Sequence, residues 1–128
     1  MTQFFDLKYK AFHAWTYTVA IDVLQNNLIA VDASGEVVPA EDATAVSVIG
    51  WAKTDAAAGE IVEGRWGIFA MDNDTTVPVT AADVGQVATV GTTAGAENTT
   101  IGGPAGAGLP VGKIFALDGQ GQVWVSTL

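Results

Sequence analysis

The sequence predicts an all-β fold, a small compact barrel-like or sandwich core built from repeated hairpins. Three observations carry it: strict apolar/polar alternation after His13, a short apolar segment ending in Asp that occurs three times, and a near absence of helix signals. With 128 residues the chain has the size of one domain that folds without disulfides or metal. Its composition divides it into an N-terminal arm, 1–12, and a single β-rich domain, 13–128.

The arm holds Phe4, Phe5, Tyr9 and Phe12 together with Lys8 and Lys10, two of the five cations, and so differs in character from the rest of the chain. From His13 to Val23 the odd positions are His, Trp, Tyr, Val, Ile and Val, while the even ones are Ala, Thr, Thr, Ala and Asp. Period-2 alternation with β-branched and aromatic residues predicts one long strand with one buried face. Further strands are expected at 28–31, 37–38, 45–52, 61–71, 86–90, 113–117 and 122–127, each bounded by Gly, Asp, Asn or Pro. One short helical turn is expected at 80–85, where Thr80 caps, Asp83 completes a capping box and Gly85 ends it.

The repeat is Leu28-Ile29-Ala30-Val31-Asp32, then Ile68-Phe69-Ala70-Met71-Asp72, then Ile114-Phe115-Ala116-Leu117-Asp118. In the first and third copies Gly35 and Gly121 follow the Asp by three places. An Asp carboxylate accepts backbone N–H bonds across such a turn, and Gly takes the positive φ that closes it. In the second copy Thr75 stands at the Gly position, so Asn73 or a longer loop has to reverse the chain. Three hairpins at near-regular intervals are therefore expected. The stretches 72–76 and 91–108 read as surface loops. The second is almost wholly Gly, Ala, Thr, Asn and Pro, with Ile101 its one large apolar residue, and is expected to supply little core.

Composition restricts function. Hydrophobic residues at 49% and charged residues at 15% argue against disorder, yet the longest apolar run is too short for a membrane span. The opening Met1-Thr2-Gln3-Phe4-Phe5-Asp6 lacks the basic and continuous apolar regions of a signal peptide, which predicts synthesis and assembly in the cytoplasm. Cysteine is absent, which removes disulfides, thiolate chemistry and cysteine-based zinc sites. Five basic against 14 acidic residues give a net charge of −9, with no Lys or Arg between Lys10 and Lys53 or between Arg65 and Lys113. Nucleic acid needs clustered cations and is not an expected partner. The acidity serves solubility and mutual repulsion of free subunits, or faces a basic partner.

Catalytic patterns are not found. His13 has no second His or Cys to join it, and Ser34, Ser47 and Ser126 lie outside any nucleophile elbow. The stretch 106–113 resembles a phosphate loop only superficially: its spacing is one residue too long and Ile114 stands where a hydroxyl is needed. Asp72-Asn73-Asp74 lacks the Gly and distal Glu of a calcium loop and reads as a turn. No cofactor and no metal are expected. Among the four tryptophans, Trp15 and Trp51 sit among strong apolar neighbours and read as core, whereas Trp66 follows Glu63 and Arg65, and Trp124 alternates with Val123 and Val125. Trp66 and Trp124 are the better interface candidates, together with Phe4, Phe5, Tyr9 and Phe12 of the arm.

From about residue 13 onward the chain resembles the head decoration, or capsid cement, proteins of tailed phages. The residues that carry the resemblance are Val31-Asp32-Ala33-Ser34-Gly35 leading to Val38-Pro39-Ala40, Ile49-Gly50-Trp51-Ala52, Ala58-Gly59-Glu60, Leu109-Pro110-Val111-Gly112-Lys113 and Val123-Trp124-Val125. The resemblance implies a non-enzymatic β-rich virion module on the outer face of an assembled shell, with the major capsid protein as partner and a homotrimer as the working form. A receptor- or glycan-binding module of a fibre or bacterial surface protein is the alternative, with Trp66 and Trp124 stacking on sugar rings.

Overall fold

A computed structural model describes residues 12–128, with nine strands in the order β1 (Phe12–Thr18), β2 (Leu28–Val31), β3 (Val37–Pro39), β4 (Ser47–Ala52), β5 (Ile61–Asn73), β6 (Val87–Val90), β7 (Thr100–Gly102), β8 (Pro110–Leu117) and β9 (Gln122–Ser126). Single 3-10 turns cover Ala81–Asp83 and Glu97–Thr99. The fold is all-β and its centre is a closed barrel. β5 pairs β7, β7 pairs β6, β6 pairs β8, β8 pairs β9, and β9 returns to β5. Closure leaves these five strands without an edge.

β5 is long because it serves two layers. Its second half, Ile68 to Asp72, pairs β9, while its first half pairs β1 through the register Phe12↔Gly67 to Thr18↔Ile61 and touches β4 at Trp51↔Arg65. β4 continues to β2 and β2 to β3, and Val19, just past β1, bridges to Val37 of β3. This second ring closes through a single bridge, Val19 to Val37. Strand β2 is the wall between them, because its alternate side chains face opposite ways. Leu28 and Ala30 join Phe69, Val90, Ile101, Ile114, Val123 and Val125 in the barrel core, while Ile29 packs with Val19, Val23, Val37, Ala52, Ala56 and Val62.

The first and third copies of the repeat form hairpins by the expected chemistry. Asp32 Oδ1 accepts the N–H groups of Ser34 and Glu36, and Asp118 Oδ1 accepts those of Gln120 and Gln122. Gly35 and Gly121 take φ of 81° and 80°. The second copy does not turn. β5 runs on to Asn73, and Val77 belongs to no strand, so the molecule has two of these hairpins and not three. The reason lies in Asp74, which is 1% exposed and fastens a loop instead of reversing a strand.

Three other expectations are corrected. The stretch 13–23 is a strand only to Thr18: the chain bends at Ala20 and Ile21, so Val19 and Val23 are buried while Ile21 is 40% exposed. The stretch 91–108 is not a plain loop, because it contributes β7 to the barrel and a fully buried Ile101. Glycines make this possible, since a Cβ on Gly91 would lie 1.7 Å from Thr100 Oγ1 and one on Gly108 would lie 2.5 Å from the Val90 carbonyl oxygen. Trp15 is no core residue: it is 66% exposed, while Trp51 does pack inward with its ring centroid 4.7 Å from that of Phe69. The turn at 80–85 forms as expected, with the Asp83 carboxylate accepting from Thr80 N–H at 2.8 Å and Gly85 at φ 94°.

Candidate functional site

Phe4, Phe5 and Tyr9 lie outside the described residues. Phe12 opens β1 opposite Gly67, one residue earlier than the expected start of the β domain. The other two candidates, Trp66 and Trp124, are not brought into one site: Trp66 lines a cleft whose lining does not include Trp124.

Trp66 lines a cleft of 240 Å³ with Tyr17, Val48, Ile49, Val111 and Thr127. Its shape follows from local sequence. Gly50 adopts φ 132° and lies so close to β5 that a Cβ there would stand 1.9 Å from the Arg65 carbonyl oxygen, which brings Val48 and Ile49 of β4 up to Trp66. On the opposite side Thr127 Oγ1 accepts the Gly67 N–H at 2.7 Å and its own N–H donates to the Gly67 carbonyl at 2.9 Å, fixing the C-terminal end of β9 beside the cleft. Trp15 and Tyr17 pair directly with Gly64 and Val62, and directly paired residues share a face. Trp15, Tyr17 and Trp66 therefore line up along one face of the β1–β5 ribbon. Tyr17 is the ionisable group of this lining, and burial raises its pKa. The cleft offers apolar and aromatic surface.

Trp124 stands on the outer wall of the barrel. Its neighbours Val123 and Val125 are fully buried, whereas Trp124 is 38% exposed, as the alternation requires. Its Nε1 donates to Asp118 Oδ2 at 3.1 Å, which fixes the ring against the β8–β9 turn. The Asp118 carboxyl is held below its ordinary value by the N–H groups of Gln122 and Gln120 and then by that indole. Trp124 pairs with Ala116 of β8 and Ala70 of β5, and Phe115 and Val87 are also exposed, at 60% and 52%. Sequence reasoning missed Phe115, because its counterparts Ile29 and Phe69 in the repeat are buried. An irregularity in the β8–β9 register between Ile114 and Ala116 turns Phe115 outward. Lys113, opposite Val87 and Ser126, is the cation of this wall.

A third surface is a groove of 510 Å³ between the loop after β3 and the segment 91–108, with Glu41, Asp42 and Glu97 on its rim and Ala40, Gly91, Gly108 and Leu109 on its floor. Asn98 fastens the two loops by accepting the Glu41 N–H at 2.9 Å and donating to its carboxylate at 3.1 Å. The Asp42 carboxyl is lowered by the Thr44 hydroxyl and then by the Thr44 N–H. Among the described residues no three or more His, Cys, Asp or Glu side chains gather in a way that holds a metal ion. In Asp72-Asn73-Asp74, Asn73 clasps the backbone of Val79 through both its amide atoms, and Asp74 is occupied by Val77, Thr92 and Thr93.

Searches of protein-family models, curated proteins and solved structures return no match for this chain.

Proposed function

We propose that this protein is a structural module that coats and strengthens an assembled phage capsid, binding the major capsid protein on the outer surface of the virion as a homotrimer. The observation that supports the reading is the outer barrel wall. Rigid strands present Trp124, Phe115 and Val87 on a closed β body that is otherwise acidic. A module that recognises only the assembled shell shifts the equilibrium toward that shell, and symmetry multiplies each weak contact. Burying the exposed part of Trp124 contributes about 2 kcal/mol by area, more than the ~1 kcal/mol of a surface ion pair.

The test is occupancy on purified expanded capsids. Trp124→Ala removes one partly exposed ring and one surface hydrogen bond, so its circular dichroism should match that of the native chain while occupancy falls at least tenfold. A damaged fold with unchanged occupancy would make Trp124 a core residue. The second reading, a glycan-binding module, is favoured by the row of Trp15, Tyr17 and Trp66 on one face of the β1–β5 ribbon, of which Tyr17 and Trp66 line the cleft. Binding to a glycan array that is lost in Trp66→Ala, with no binding to shells, would replace the capsid reading.

A further inference from the structure

Strand β1 carries seven residues, Phe-His-Ala-Trp-Thr-Tyr-Thr, without a charge, a proline or an irregularity in its register. Among the described residues its only strand partner is β5, and none of them pairs with its other edge from Phe12 to Thr18. Open edges are ordinarily blunted by Lys, Pro, bulges or a covering element, and none of the first three devices is present in β1. The edge is closed only beyond Thr18, where Ala20 N–H donates to the Val37 carbonyl at 2.8 Å. That bond sets where a new strand has to stop.

We infer that β1 is a self-complementary edge that pairs antiparallel with β1 of a second copy about a two-fold axis through Trp15. A ladder that ends at Thr18 in both copies and uses the whole strand pairs Thr18 with Phe12 of the partner copy and has Trp15 as its centre. Trp15 then faces its own equivalent across the ladder on the same face, where directly opposed side chains are in contact. Its other cross-strand neighbour is Gly64, which has no side chain to cover it, and this accounts for an indole 66% exposed in the single copy. The charge pattern selects a second copy as occupant. In a chain of net charge −9, this uncharged strand lets two copies approach without opposing carboxylates, since the nearest acid on β5, Glu63, is already joined to Arg65 at 2.7 Å. The inference does not rest on the capsid reading, because it concerns free copies in solution.

The chain has no cysteine, so a single introduced thiol reports on one position. In the full-length protein under mild oxidation, Trp15→Cys should crosslink to a dimer nearly completely, because directly paired residues fall within disulfide reach. Val46→Cys, at a site 59% exposed outside β1, should stay reduced and without a crosslink. Sedimentation equilibrium of the unmodified protein should show a reversible dimer, and Trp15→Lys, with unchanged circular dichroism, should raise its dissociation constant at least tenfold. Equal slow crosslinking of both thiols, or a mass that stays at one subunit over the whole concentration range, would overturn the inference. So would an oligomer that forms equally well in Trp15→Lys. Shells are absent from every arm, so failure here is distinct from failure of the capsid proposal.

Discussion

Asp32, Asp74 and Asp118 are one residue type used for two purposes. At Asp32 and Asp118 a carboxylate gathers two backbone N–H groups within one turn, a local pattern that three to five residues specify and that is therefore legible in sequence. At Asp74 most of the partners are far away in the chain: besides the Val77 N–H at 3.1 Å they are the Thr92 hydroxyl at 3.0 Å, the Thr93 N–H at 2.9 Å and the Thr93 hydroxyl. Nothing local in Asp72-Asn73-Asp74 distinguishes this from a surface turn. Burial raises the Asp74 carboxyl, but those hydrogen bonds outweigh it and hold the group at about 2, against an ordinary 3.8. The folded value is the lower one, so Asp74 adds stability above about pH 4 that is lost as the pH falls toward 2, about 2 kcal/mol over the window. Urea unfolding at several pH values should show this acid loss in the native chain and a loss smaller by that amount in Asp74→Asn. Parallel pH profiles would mean that the Asp74 carboxyl has the same pKa folded and unfolded, and the hydrogen bonds would then not lower it.

At the scale of elements, legibility follows periodicity. Strands β2, β4, β6, β8 and β9 fall where alternation and turn residues put them, within a few residues at their ends. Trp124 faces outward because Val123 and Val125 face in. What periodicity does not carry is partnership. The sequence shows that β5 is a strand but not that it spans two layers, and it hides β7 because Thr100-Ile101-Gly102 is too short and too small to stand out among glycines. Those glycines look like loop residues in sequence, whereas in the fold Gly91, Gly102 and Gly108 let neighbouring strands approach. The consequence is measurable at Ile101, which is fully buried among Leu28, Val90 and Ile114. Ile101→Ala should cost about 2–5 kcal/mol in denaturant unfolding, as for any buried aliphatic side chain. A cost below about 1 kcal/mol would mean that the segment 91–108 lies on the surface after all.

At the scale of the whole molecule, charge and apolar surface act against each other. All acidic residues except Asp6 lie in 12–128, where only Lys53, Arg65 and Lys113 offset them, so two copies repel at long range. The surfaces that can overcome this, the largely apolar Trp124–Phe115 wall with Lys113 as its cation and the uncharged β1 edge, act at contact. The two forces respond oppositely to salt. Screening shortens the reach of repulsion from ~30 Å at about 0.01 M salt to ~8 Å at about 0.15 M, while apolar burial is little changed. Association between copies should therefore strengthen as salt rises through this range, and its rate should rise with it. Attraction of the acidic groove around Glu41, Asp42 and Glu97 to a basic partner should weaken over the same range, chiefly through a slower on-rate. Sedimentation of the free protein and occupancy on shells, each measured along one salt series, separate the two. Self-association that grows with salt while shell occupancy also holds or grows would place apolar contacts in both. Shell occupancy that falls steeply would assign the shell contact to the acidic groove, and Trp124→Ala would then leave it unchanged.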